Sequence, residues 1–397
     1  MRIELLRKRE DFNGIFCASL NSFLKSYFNC ESKITWKCER GAHYLVNDYL
    51  NVIYQKSISR NSLGDLTQEF AWNKSWFKHL MQKSYVYFSV RWPFEKYAAS
   101  ATLTIENCPD VLEQWVFIPG NHSIRIIDLA NNQSIVFTKL GFNKSFLITD
   151  AKIRQEFSLP FVPNILKVNC ETGWYTEERI IGLPLNRLSA DLDRKLAFKG
   201  ASENLIILYG ETSEKQKLGI YITHVQEKID LLLATSFSGT TEASKNKICT
   251  IKNRLLDCME QYKDNEITLA LTHGDFQSAN ILYNGGSGNS WLIDWEYANT
   301  RNVFYDSLTY ELQARKSQGL GQRFSVFLGG LEEGEVRCSW TKYFLTAENS
   351  YCLALFLLED LLVRLEEVAV PVIINKLDSL HPWLGEIMEI RRFCLKK

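Results

Sequence analysis

The sequence lacks an excess of either charge: 46 Lys and Arg stand against 46 Asp and Glu, for a formal net charge of zero. A protein built chiefly to hold nucleic acid needs a strong basic excess, so that class is excluded. Proline is scarce, with 8 in 397 residues, which excludes a proline-rich linker protein. Long hydrophobic runs are missing too. The longest, Cys352 to Leu358, falls far below the roughly 20 residues that span a bilayer. Near the start, Arg7, Lys8, Arg9, Glu10 and Asp11 interrupt the apolar residues, so no signal peptide is written there. Ten cysteines from Cys17 to Cys394 form no C-x-x-C pair, which excludes a zinc or redox motif of that type. Reduced thiols buried as small hydrophobes are expected instead, in a cytoplasmic protein with no transmembrane segment. What is present is a globular balance: 46 % apolar and 23 % charged residues suffice to bury a core and exclude wholesale disorder.

The length suggests two or three domains, and no internal repeat is visible. Residues 1–110 form an aromatic-rich N-terminal accessory region of α/β character. A strand is predicted at Tyr85–Val90, flanked by Trp72, Trp76 and Trp92, and the tryptophans of 72–115 are expected in the core. Residues 111–185 read as strands at 115–118, 124–128 and 134–139. A short helix follows from Ala151 to Phe157, capped by Thr149 or Asp150, and then strands at 165–168 and 174–178. That succession is a small antiparallel sheet with one helix against it. Helical spacing dominates 186–397. Ile248, Ile251, Leu255, Met259 and Tyr262 share one face, and Phe344, Ala347, Tyr351, Leu355, Leu358, Leu362 and Leu365 share another.

The chemistry concentrates between Leu271 and Glu296. Ile281-Leu282-Tyr283 and Trp291-Leu292-Ile293 are short apolar strands, and the Gly-rich link between them predicts a hairpin. Strands in such a pair lie about 5 Å apart, so Asn280, just before the first, and Asp294, just after the second, come side by side. An amide oxygen and a carboxylate are hard ligands suited to Mg²⁺. Asp275, on the preceding loop, is placed to accept a proton from an attacking hydroxyl. A base and two metal ligands at this spacing meet the needs of phosphoryl transfer, in which positioning and charge neutralisation do most of the work.

The His273-Gly-Asp275-x-x-x-x-Asn280 loop followed by Ile293-Asp294-Trp-Glu296 resembles the aminoglycoside phosphotransferase/choline kinase family, relatives of the protein kinases. The resemblance implies an α+β, two-lobed protein-kinase-like fold. Its small antiparallel-sheet lobe would cover 111–185 and its helical lobe 186–397, with the N-terminal region added. It implies ATP and Mg²⁺ as cofactors, with ATP between the lobes. Lys139, ending the third strand, would meet the ATP phosphates, and Glu156 on the following helix would hold that lysine. Gly120, Asn121 and Ser123 in the Pro119–Ser123 turn would cover the phosphates, although that turn has one glycine where protein kinases have three. Glu178, Ile180 and Gly182 match the hinge that meets adenine. Asp275 would be the catalytic base, Asn280 and Asp294 the metal ligands, His273 a framework hydrogen-bonder and Asp306 a structural acid. Ser278-Ala279 departs from the family's usual Pro-Gly or Pro-Trp. The implied activity moves the γ-phosphate to a hydroxyl of a small-molecule acceptor, with a sugar or glycan precursor favoured by the aromatic-rich N-terminal region. An inactive nucleotide-binding pseudokinase and a divergent protein kinase are the alternatives. Oligomeric state is left open.

Overall fold

The computed structural model describes residues 3–37, 44–58, 60–71, 75–91, 93–107, 109–157, 159–235, 242–332, 349–370 and 380–394. The chain divides into two compact units, one of Met1–Ala197 with Leu282–Ile293 and one of Phe198–Ile281 with Asp294–Lys397. Its class is α+β, as expected.

The first unit contains α1 (Ile3–Arg9), α2 (Phe12–Phe28), β1 (Lys33–Lys37), β2 (Tyr44–Asn47), β3 (Val52–Gln55), α3 (Arg60–Thr67), α4 (Trp76–Ser89), α5 (Glu95–Ala98) and β4 (Ala101–Glu106). It continues with β5 (Trp115–Pro119), β6 (Ser123–Asp128), β7 (Gln133–Thr138), α6 (Ser145–Glu156), β8 (Ile165–Asn169), β9 (Trp174–Glu178) and β10 (Leu183–Pro184). Nine strands make one antiparallel sheet in the order β1-β4-β2-β3-β5-β6-β7-β9-β8. Strands β5 to β9 follow the expected succession. The other four extend the same sheet through β3, whose Ile53 pairs with Phe117 of β5. No domain boundary therefore falls at residue 110, in contrast to the expected separate accessory region.

Alternation sets what each face buries. Asp11 caps α2 by accepting from the Gly14 N–H. Phe12, Phe16, Leu20, Phe23 and Leu24 of α2 then pack with Phe117, Ile126, Ile135, Phe137 and Trp174. The Phe23 ring lies on that of Phe137, with centroids 4.4 Å apart. The residues of opposite parity face other helices. Val116 and Ile127 pack with Val86 of α4, and Val136 and Tyr175 with Leu147 and Ala151 of α6.

Three local expectations are corrected. The segment predicted as a strand at Tyr85–Val90 is the end of α4, because its buried contacts are Val86 and Val90, four apart, while Tyr85, Tyr87 and Phe88 are exposed. Helical packing overrides the β propensity of these residues. Trp115 is buried as expected, but Trp76 is 77 % exposed; Trp72 and Trp92 lie outside the described residues. Helix α6 starts six residues earlier than predicted, with Asn143 accepting from the Ser145 N–H, so Thr149 and Asp150 lie within the helix and cap nothing.

Helix α7 (Asp191–Thr212) begins among residues of the first unit and ends among those of the second. There follow β11 (Glu214–Lys217), α8 (Leu218–Thr235), α9 (Glu242–Met259), β12 (Glu266–Thr272), β13 (Ile281–Asn284), β14 (Asn289–Leu292), β15 (Asn299–Asn302), α10 (Tyr305–Glu311), α11 (Leu320–Glu332), α12 (Tyr351–Val368) and α13 (His381–Met388). Strands β11, β12 and β15 form a small antiparallel sheet in the second unit. Every α12 residue from Tyr351 to Leu365 is buried, the mark of a helix surrounded on all sides. Phe344 and Ala347, predicted on the same face, lie outside the described residues. Cys258 and Cys394 are joined by a disulfide, which corrects the expectation of thiols only. Among the described residues no helix is long and apolar enough to cross a membrane.

Because α2 belongs to the sheet's core, Phe23→Ala should lower stability by about 3–5 kcal/mol. Urea unfolding of the full chain measures this; a loss below about 1 kcal/mol would mean a detachable N-terminal region.

Candidate active site

Strand β12 delivers the chain to a loop, 273–280, hung on one buried carboxylate. Asp306, in the first turn of α10, accepts the His273 N–H at 2.7 Å and the Gly274 N–H at 2.9 Å. The Tyr209 hydroxyl donates to the same group at 2.7 Å. Gly274 adopts φ +81°, and a Cβ there would collide with the Tyr297 carbonyl oxygen, so glycine is required on both counts. Ring atom Nδ1 of His273 accepts from the Asp275 N–H at 3.3 Å, and the ring lies 4.6 Å from that of buried Trp295.

These restraints fix Asp275. Its Oδ2 accepts from Asn280 Nδ2 at 2.9 Å and from Gln277 Nε2 at 2.9 Å. Its Oδ1 accepts from Arg315 Nε at 2.6 Å, while Arg315 Nη2 donates to the Gly274 carbonyl at 2.6 Å. Burial disfavours the Arg315 charge, yet Asp275, Tyr305 and Asp360 outweigh it and push its pKa well above the ordinary value. Asp275 and Asn280 are thus brought into contact. Because Asn280 Nδ2 is spent on the Asp275 carbonyl and carboxylate, its amide oxygen is the atom left for a cation. Asp294 follows β14 with a left-handed backbone, φ +71°, and is half-buried. An amide oxygen and a carboxylate fit Mg²⁺ as hard donors. Among the described residues no group of three or more His, Cys, Asp or Glu side chains is arranged to hold a metal.

The candidates of the first unit are placed differently. Lys139 follows Ile135 and Phe137 at a spacing of two, so it shares their face, towards α2. It forms a wholly buried ion pair with Glu10, between α1 and α2, and its ammonium lies 4.6 Å from the Phe142 ring centroid. Glu156 sits at the end of α6, which packs on the opposite face, and is exposed. The expected Lys139–Glu156 pair is therefore not formed. The charged group facing α6 is instead Glu177, held between Arg125 and Arg154, with Arg154 also paired to Asp150 at 2.8 Å. Burial would raise the Glu177 carboxyl, but the two guanidinium charges prevail and lower it.

In the turn between β5 and β6, Gly120 N–H donates to the Ser123 carbonyl at 2.8 Å. Arg9 holds Asn121 through both its side chain and its carbonyl. Glu178 accepts from Asn164 Nδ2 at 2.9 Å. Beyond half-buried Ile180, Gly182 lies against the Tyr283 backbone, where Leu183 pairs with Tyr283 in a β10–β13 ladder.

No protein-family model and no curated protein sequence matches the chain. A choline/ethanolamine kinase family protein from Mesorhizobium loti is similar in structure, with 16 % identity, a TM-score of 0.43, and coverage of 72 % of this chain and 91 % of that one. A thermostable mutant of an aminoglycoside phosphotransferase, solved in a ternary complex with ADP and hygromycin B, gives 14 %, 0.47, 70 % and 92 % for the same measures. A choline kinase from Cryptosporidium parvum gives 14 %, 0.39, 67 % and 86 %. The chain is similar to these solved kinases.

Arg315 carries no motif signal, because no spacing rule links it to a loop 40 residues earlier. A signal for its neighbours existed: Asp360 and Arg364 stand four apart among the leucines of α12, and they pair at 2.8 Å. Glu10 carried no signal because it stands within a charged run, Arg7 to Asp11, that looks solvated. The Glu10–Lys139 pair makes a stability prediction. Glu10 also pairs with Arg9 at 2.7 Å, so Lys139→Met removes one of two cations from a buried carboxylate and should cost about 1–3 kcal/mol, whereas Lys139→Met with Glu10→Leu should recover part of it. Denaturant titration of the three proteins checks the sign.

Proposed function

We propose that the chain is an ATP-dependent phosphotransferase that moves the γ-phosphate of ATP to a hydroxyl of a small molecule. The observation carrying this reading is the fixed carboxylate of Asp275, bonded through one oxygen to Arg315 and through the other to Asn280, on a loop anchored by Asp306. That rigidity suits phosphoryl transfer, which rewards positioning above covalent help. The acceptor oxygen forms a bond to the γ-phosphorus as the bond to the bridging oxygen of ADP breaks, and Asp275 orients the hydroxyl and takes its proton. Asn280 and Asp294 would hold Mg²⁺, which supplies charge neutralisation for the phosphates. A cytoplasmic location goes with ATP as the donor.

We take the acceptor to be a sugar or glycan precursor. Its support is the exposure of aromatic side chains on the first unit, Trp76 at 77 % and Tyr97 at 73 %, a residue type suited to saccharide stacking. A second reading, a nucleotide-binding pseudokinase, is favoured by one observation: the strand lysine expected to meet phosphate is buried on Glu10.

Incubating the protein with Mg-ATP and a panel of sugars, amino alcohols and aminoglycosides separates the two readings. Under the first, a panel member is phosphorylated and Asp275→Asn lowers kcat by about 10²–10⁴; an unchanged rate would overturn the role given to Asp275. Asp294→Asn should raise the Mg²⁺ concentration needed for half-maximal rate. Under the second, Mg-ATP binds and no acceptor is turned over.

A further inference from the structure

The second unit holds a partly open cavity of about 240 Å³ whose walls come from β11, α8, β15 and α12. Its polar chemistry centres on Glu359 of α12, a residue only 1 % exposed. Glu359 Oε1 accepts from the Tyr221 hydroxyl at 2.6 Å and from the Asn302 N–H at 2.9 Å. Its Oε2 is buried and has no hydrogen-bond partner among the described residues. An orphaned acceptor on a carboxylate is expensive, and here it belongs to a residue that lines a cavity. Burial, opposed by the Tyr221 and Asn302 bonds, raises the Glu359 carboxyl to about 7. A donor arriving at Oε2 would relieve that cost.

A positive donor suits Oε2, because it would favour the ionised form of the Glu359 carboxyl against the desolvation that raises it. Glu214, Glu359 and Glu366 line the cavity, together with Lys228, Arg301 and His224. Arg301 is already committed, since its Nη1 donates to Thr272 Oγ1 at 3.0 Å and to the Tyr297 carbonyl at 2.8 Å. Those two bonds also link the cavity wall to the catalytic loop. Thr272 directly precedes His273, and the Tyr297 carbonyl is the atom against which Gly274 packs. We propose that this cavity binds a small organic ammonium ion, whose N–H donates to Glu359 Oε2, and that its occupancy reaches the catalytic loop through Arg301.

The test uses the full chain and needs no enzymatic activity, so it stands apart from the phosphotransferase reading. Calorimetric titration with propylammonium should show saturable binding. Tetramethylammonium, which has the charge and no N–H, should bind about tenfold more weakly. Glu359→Gln should also weaken propylammonium about tenfold: the Tyr221 and Asn302 donors hold the amide oxygen at the Oε1 position and leave an NH₂ group facing the ligand. In the wild-type protein, propylammonium should shift the backbone amide resonances of Asn302 and Gly274, a readout that does not depend on any variant folding. Absence of saturable binding, equal affinity for tetramethylammonium, unchanged affinity in folded Glu359→Gln, or unmoved Asn302 and Gly274 resonances would each overturn the proposal.

Discussion

The carboxylate of Asp306 is the constraint on which the site's geometry rests. It is fully buried, and three donors compensate its desolvation: two successive backbone N–H groups and the Tyr209 hydroxyl. Its place in the first turn of α10 adds the favourable end of the helix dipole. Binding two consecutive N–H groups bends the chain sharply at Gly274. That bend turns Asp275 towards Arg315 and Asn280. Removing any one of these would leave buried polar groups unsatisfied, so the loop has little freedom to adopt another shape.

The first unit shows how a one-residue shift of parity decides a side chain's surroundings. Lys139 has the right position in the order of elements to meet a helix-borne glutamate, but order alone ignores the face. Ile135 and Phe137 belong to the α2 side, and Lys139 follows them there, to Glu10. The opposite side receives Arg125, Glu177, Arg154 and Asp150, a closed network in which each charge meets its opposite. Both arrangements follow from the period of two along β6, β7 and β9. The alternation was legible in the sequence, whereas the helix covering each face was not, because α2 lies more than a hundred residues upstream of Lys139.

The N-terminal residues illustrate the same limit. Their aromatic content suggested a separate accessory region, yet Phe16, Phe23 and Tyr44 pack in one cluster with Phe117, Phe137 and Trp174. An antiparallel sheet can be extended at its edge by strands from any distance in the chain, and nothing in a strand's own composition names its neighbour. Tyr85–Val90 had strand composition and became helix for a related reason: the tertiary contacts available to Val86 and Val90 repeat every four residues.

By itself, the sequence determined the spacing of Asp275, Asn280 and Asp294, the hairpin that separates the metal-ligand candidates, the strand succession from 115 to 178, and the helical spacing of Tyr351, Leu355, Leu358, Leu362 and Leu365. These are local patterns, set by residues within a few turns or one hairpin of one another. Only the tertiary structure decided which cation holds Asp275, which acid holds Lys139, and that Asp306 carries the loop. Each of those pairings joins residues 30 to 130 positions apart, and their partners are chosen by burial: a charge removed from water must find its complement wherever the fold brings one within reach.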